Sequence, residues 1–267
     1  MSATTTSAPA TYTEPTQSAV WSLWRQIRKP VSTIAWYAVM LLVSLIVLIP
    51  IILVIFGSFK TVNEFFSTPY GLQKAWDFFN YKKAWNTADL QHAALNSLIS
   101  TFFGVMFSTI LACLASYGLA RFAFRANGWI RLAFIGGLVV PVQLIIIPIF
   151  VIMRQTGLLG SIWSLVLVYS VLGIPLGVLV MVGFFRALPR DLEEAARIDG
   201  AGEWRIFFQI VLPLSKPALA TVALFFILRY WNDWFLALLF INKDTLYPLQ
   251  YLLYVLMKNM SFLASNP

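Results

Sequence analysis

Apolar residues along this chain fall into long runs separated by short charged connectors. Roughly 20 consecutive apolar residues cross the hydrocarbon of a bilayer, and five runs reach that length. The pattern predicts spanning helices over Ala35 to Phe56, Leu95 to Leu119, Ile130 to Met153, Ile162 to Phe185 and Ala218 to Phe240. The expected fold class is an all-α polytopic membrane protein. Prolines recur inside the runs, at Pro50, Pro141, Pro148 and Pro175. Within a membrane they are tolerated where neighbours re-satisfy the freed carbonyls, so they indicate kinked helices, shaped either for a cavity or for packing alone.

The remaining segments read differently. Residues 1 to about 20 are rich in Thr, Ser, Ala and Pro and have no apolar face, which predicts a flexible tail without a cleaved signal peptide. Trp21, Leu23 and Trp24 beside Arg25, Arg28 and Lys29 make an interfacial anchor. At the other end, Tyr247 to Met257 is too short to span and reads as an interfacial or re-entrant helix on the outer side. The organisation expected is a tail and anchor over 1–34, a first span and outer loop over 35–94, and a membrane core over 95–267.

Composition agrees with this reading: hydrophobic residues make up 60% and charged residues 11%, with a mean hydropathy of +0.78. The net charge of +8 is no nucleic-acid signal, because the bases cluster at the ends of apolar runs. That distribution sets topology. Arg121, Arg125 and Arg131, with no acid among them, put the connector of the 120s in the cytoplasm. The N-terminal flank follows by the same count, and the mixed loop around 60–94 lies outside. The single cysteine, Cys113, lies in an apolar run and reads as a packed thiol; the single histidine, His92, reads as solvated in an outer loop. No His, Cys or carboxylate cluster has metal-ligand spacing, no catalytic constellation is visible, and the chain lacks a G-x-x-x-x-G-K-[ST] phosphate loop.

One stretch breaks the oily pattern. From Arg186 to Lys216 the chain carries five acids and five bases. Within it, "PRDLEEAARIDG" has the makings of a short helix, with Asp191 as cap, Glu194 as the reciprocal partner of a capping box and Gly200 as a left-handed stop. Then "EWRIFFQIV" places Trp204, Phe207, Phe208 and Val211 at helical spacing, before Pro213 and Pro217 break the run. Eight residues are too few for an independently stable helix, so packing must hold the first one. Two readings stand: a hairpin that docks on another surface, or an amphipathic element lying on lipid.

The spacing Glu194-Ala195-Ala196, three residues, Gly200, nine residues, then Ile210-x-Leu212-Pro213 resembles the EAA loop of ABC importer permeases at every signature position. "PVQLIIIPIFVIMRQTGLLG", "RYWNDWFLALLF" and "YPLQYLL" extend the resemblance over roughly residues 35 to 260, towards carbohydrate-uptake permeases of the maltose-permease type and their oligosaccharide branch. The resemblance implies a type I importer fold and a coupling loop over 188–217 that seats on a separate ATPase. Glu193, Glu194, Ala195, Ala196, Arg197, Asp199 and Gly200 would form the seat, and Ile210, Leu212 and Pro213 would brace the following turn. It also implies a second permease subunit, two ATPase subunits carrying ATP and Mg, an extracytoplasmic solute-binding protein, and a bacterial cytoplasmic membrane with the N-terminus inside. This chain itself would bind no cofactor. The family has a sixth helix, so an incomplete C-terminus is expected.

A hydroxyl-rich solute needs polar groups inside the bundle. Arg229, Trp231, Asn232, Asp233 and Trp234 supply them, with Arg229 and Asp233 spaced to pair on one helix face. The alternative role for these residues is to lock the helix against the partner permease. Gln143, beside Pro141, is a second path candidate; Asn96, Ser100 and Thr101 are weaker ones. An acidic oligosaccharide is compatible with Arg229. An ion-coupled secondary transporter is the competing class, with Asp233 as its one clear intramembrane acid; a membrane enzyme is a third, without visible machinery.

Overall fold

The computed structural model describes the backbone of residues 17–265 and the side chains of residues 33–260. The expected tail and the anchor side chains Trp21, Leu23, Trp24, Arg25, Arg28 and Lys29 lie outside the described side chains. All regular elements among the described residues are helical. They fall into two compact units, Met1–Lys83 and Ala84–Pro267.

The first unit is built on α1 (Gln17–Ser58), followed by α2 (Val62–Ser67) and the start of α3 (Phe79–Thr87). Thr33–Ser58 is long and apolar enough to cross a membrane, and none of its most apolar window is buried within the chain. Such a helix needs lipid or another subunit around it. Its outer loop folds on itself. Thr61 caps α2 by accepting from the Glu64 amide, and Lys60, 4% exposed, donates to the carbonyls of Thr68 and Pro69. Phe59 meets Trp76, Phe78 and Tyr81 in one aromatic cluster.

The second unit contains α4 (Leu90–Arg121), α5 (Asn127–Val139), α6 (Val142–Gln155) and α7 (Ile162–Ala187), then the connector helices α8 (Asp191–Ile198) and α9 (Glu203–Ile206). A π turn over Phe207–Val211 leads to α10 (Leu212–Leu214), α11 (Lys216–Trp231), α12 (Phe235–Phe240) and α13 (Leu249–Ser265). The centre is the pairing of α4 with α7, against which α11 packs. Close approach there follows from side-chain size. On α4, Gly104, Ser108, Ala112, Ser116 and Ala120 recur every fourth residue, one stripe of small, buried positions. Facing them, Gly173 and Gly177 of α7 leave no room for a methyl group: at Gly173 it would meet the Tyr230 hydroxyl and Ser108, at Gly177 the Ala112 methyl and Phe226. Lipid tails provide no hydrophobic drive between helices, so small-residue contact and interhelical hydrogen bonds do the holding. Ser108 and Tyr230 provide those bonds. Their hydroxyls lie 2.8 Å apart, and each reaches the Tyr169 carbonyl.

Two expected spans are modified, and so is the C-terminal segment. The third is not one helix: Pro141 sits at the N-cap of α6, and α5 and α6 meet at 101°. Proline disfavours helix in the residue before it, so the chain turns there. Pro148 and Pro175, by contrast, are carried inside α6 and α7. The fifth span ends early, because α11 stops at Trp231 and the chain restarts as α12 at Phe235. The C-terminal segment is longer than expected: α13 runs 17 residues, well beyond Met257, which at about 1.5 Å per residue is about 25 Å. Cys113 is buried, as expected.

Candidate functional site

The charged connector forms a hairpin of short helices, and its details depart from the sequence reading at the start and agree at the end. Arg190, in helical conformation, is the N-cap of α8 and makes no side-chain cap bond. Asp191 therefore lies inside the first turn, and the capping box with Glu194 does not form. Asp191, Glu193 and Glu194 instead favour the helix start through its dipole. At the other end, Gly200 has φ +79°. Its amide donates to Arg197, and that of Ala201 to Ala196, closing the last turn around a left-handed glycine.

The two faces of α8 have opposite fates. Glu193 is 3% exposed, although Glu194 is the residue of the signature triplet. A carboxylate oxygen of Glu193 lies 2.6 Å from Nη2 of Arg121, the last residue of α4, and the two side chains are 4% and 2% exposed. Arg121 had been expected only to set topology; here it bolts the hairpin to the bundle, and its Nη2 also donates to the Leu188 carbonyl. The polar chain continues outward. Arg197 lies 3.8 Å from Glu193 and grips Glu203 with two hydrogen bonds, Nε to Oε1 at 2.7 Å and Nη2 to Oε2 at 3.1 Å. Tyr117, one turn before Arg121, donates to the same Glu203. That carboxylate holds the Arg197 guanidinium above its already high ordinary value, so it remains charged. Ala196 packs on the core, whereas Glu194, Ala195, Asp199 and Gly200 face outward. So do Leu192 and Ile198, 49% and 87% exposed. Leu192, Ala195 and Ile198 are three apart and form one apolar stripe.

In the second half of the hairpin the aromatics divide between the core and the surface. Ile206, Phe207 and Val211 are buried, but Trp204 and Phe208 stack on each other with 69% and 54% exposure. In the π turn the Leu212 amide donates to the Phe207 carbonyl. Ser215, fully buried, donates to the Val211 carbonyl where the chain bends by 73° into α11. Of the bracing residues, Ile210 and Leu212 are half-buried and Pro213 is exposed.

The solute-path residues gather around the break between α11 and α12 but do not form one wall. Arg229 and Asp233 make no ion pair, because the helix ends between them and their i, i+4 geometry is lost. Asp233 instead accepts from the Tyr169 hydroxyl at 2.9 Å and from the Leu236 amide, starting α12. Asn232 turns back to the Leu228 carbonyl. Trp234 stacks on Tyr254 of α13 at 4.4 Å, and Trp231 is half-buried. Val142, Tyr169, Arg229 and Asp233 border a cleft of about 60 Å³. Gln143 is exposed beside it. That volume accepts a few waters, far less than the roughly 300 Å³ of a small-ligand pocket. Asn96 donates to the Thr245 and Tyr247 carbonyls, and Ser97 accepts from the Leu249 amide; these residues tie α4 to the α13 lead-in. Ser100 and Thr101 are buried. His92 is exposed and paired with Asp89.

The described residues thus form a bundle of long apolar helices with a charged hairpin bolted to one end. Residues 104–262 match the family of binding-protein-dependent transport system inner membrane components. The chain belongs to that family. It is 39% identical to the diacetylchitobiose uptake system permease protein NgcG of Streptomyces coelicolor, over 78% of this chain and 68% of the relative. It is 35% identical to the polygalacturonan/rhamnogalacturonan transport system permease protein YtcP of Bacillus subtilis, over 81% and 75%. Its fold is similar to a chain in the crystal structure of a bacterial ABC transporter involved in the import of the acidic polysaccharide alginate. The TM-score is 0.76 at 25% identity, covering 84% of this chain and 79% of that one. The chain is thus an ABC importer permease, a multi-pass inner-membrane subunit and not the ATPase.

Proposed function

We propose that this chain forms half of the translocation path for an oligosaccharide and takes its driving force through α8, which seats on a separate ATPase subunit. ATP and Mg belong to that subunit, a second permease completes the path, and an extracytoplasmic binding protein delivers the sugar. The hairpin and the N-terminus then lie in the cytoplasm. The observation that carries this reading is the division of α8. One face is tied by Glu193 to Arg121. The other presents Leu192, Ala195 and Ile198 to solvent. An exposed apolar stripe on a helix with a fixed back is suited to receive a push and pass it into α4. The diacetylchitobiose and polygalacturonan/rhamnogalacturonan relatives support the solute class. The ion-coupled alternative loses support, since the acid it needed is engaged by Tyr169.

The test is sugar-stimulated ATP hydrolysis in the reconstituted assembly. Glu194→Lys, Gly200→Pro and Ile198→Asp should abolish stimulation while membrane insertion persists; full stimulation in all three would reject the coupling role. A second reading, an acidic oligosaccharide, is favoured by Arg229, which is exposed and has no carboxylate in ion-pair range among the described residues. It requires uronate oligomers to stimulate hydrolysis more than neutral ones, with Arg229→Gln erasing the difference.

A further inference from the structure

At the end of the bundle that carries the hairpin, two cavities meet at one arginine. The first is an apolar groove of about 210 Å³ between α5 and α7, floored by Phe134, Ile135, Pro175, Val178 and Val182, with Arg131 and Arg186 at its mouth. The second is a wider pocket of about 340 Å³ bordered by Arg121, Arg186, Arg190 and Asn127. Arg186 lines both. Arg131, Arg186 and Arg190 have no carboxylate within ion-pair distance among the described residues. Arg121, 2% exposed and already paired with Glu193, is committed to the hairpin, which leaves Arg131, Arg186 and Arg190 to face the two cavities.

The groove has the depth and polarity of one lipid leaflet. From Arg186 back to Pro175 is eleven residues of helix, about 16 Å of rise, against about 15 Å for half the hydrocarbon core. The cations sit only at the mouth; everything deeper is apolar. Gly183 lines the groove, and the space beside it is open: a methyl group there would meet nothing within 4 Å. We propose that this is a site for an anionic phospholipid, its phosphodiester held by Arg186 with Arg131 and Arg190 and one acyl chain laid between α5 and α7. Charge complementarity selects this occupant over a zwitterionic lipid, and basic pockets between helices at a membrane face commonly hold such headgroups.

The experiment is native mass spectrometry of the full-length chain in detergent, titrated with phosphatidylglycerol or phosphatidylcholine. We expect retained phosphatidylglycerol adducts, weakened about 30-fold in Arg131→Gln/Arg186→Gln, the product of two interfacial arginine contributions. Gly183→Leu, which fills the groove but keeps every charge, should weaken them too, and guards against loss of fold in the charge variant. Equal retention of the two lipids overturns the proposal. So does displacement of phosphatidylglycerol by millimolar inorganic phosphate, which marks a free-anion site. So does a cysteine crosslink from position 183 to the partner permease, which places protein in the groove.

Discussion

Arg121 and Glu193 stand 2.6 Å apart at the junction of α4 and the hairpin, with both side chains removed from solvent. Breaking a buried pair by neutralising one member strands the other charge, at a cost of about 3–5 kcal/mol. Glu193→Gln should therefore lower the thermal midpoint of the detergent-solubilised chain sharply. Arg197→Ala, which removes a partner from the half-exposed Glu203, should cost less than about 1 kcal/mol. Comparable shifts in the two variants would mean the buried pair is not the anchor.

Gly200 tests the turn independently of any partner. Its φ of +79° is unfavourable for a residue with a Cβ by about 1–2 kcal/mol. Gly200→Ala should loosen the hairpin locally without unfolding the bundle. Hydrogen exchange is the measurement: amides of 191–201 should exchange faster while those of α4 and α7 stay protected. Uniform deprotection across the chain would contradict a local role.

In the core, Gly173→Ala and Gly183→Ala make a matched pair on one helix. The first methyl lands on the Tyr230 hydroxyl and Ser108, the second in open space. Overpacking costs about 1–3 kcal/mol, whereas alanine in a helix interior is favoured over glycine by up to about 1 kcal/mol. Gly173→Ala should unfold at lower denaturant and Gly183→Ala at the same or higher. Reversed order would show that α4 and α7 do not meet as described.

Around the helix break, Trp231→Ala should reduce sugar uptake while ATPase attachment, read by co-purification, stays intact. Trp234→Ala removes the stack on Tyr254 and should instead loosen α13, read as faster hydrogen exchange in 249–260. If Trp231→Ala releases the partner permease, the residue belongs to that interface and not to the path.

Much of this protein was legible in its sequence because the signals are local. Hydropathy over a window of residues locates the apolar runs, since the bilayer sets one length for all of them. The EAA-like spacing and the Gly200 stop depend on neighbours within the same hairpin. The partners of charged and polar groups were not legible. Arg121 reads as a topology marker and Glu193 as part of a seat for another subunit, yet the two, far apart along the chain, meet as a buried pair. Asp233 was matched to Arg229 on one helix face, but the chain breaks between them and Tyr169, 64 positions away, takes its place. The small stripe from Gly104 to Ala120 was visible as a period of four and went unread, because smallness acquires meaning only when a facing helix is known. Local composition dictated which segments became helices. Which side chains meet was decided by how α4, α7 and α11 approach one another, because a buried charge or hydroxyl must find whatever partner that packing brings within reach.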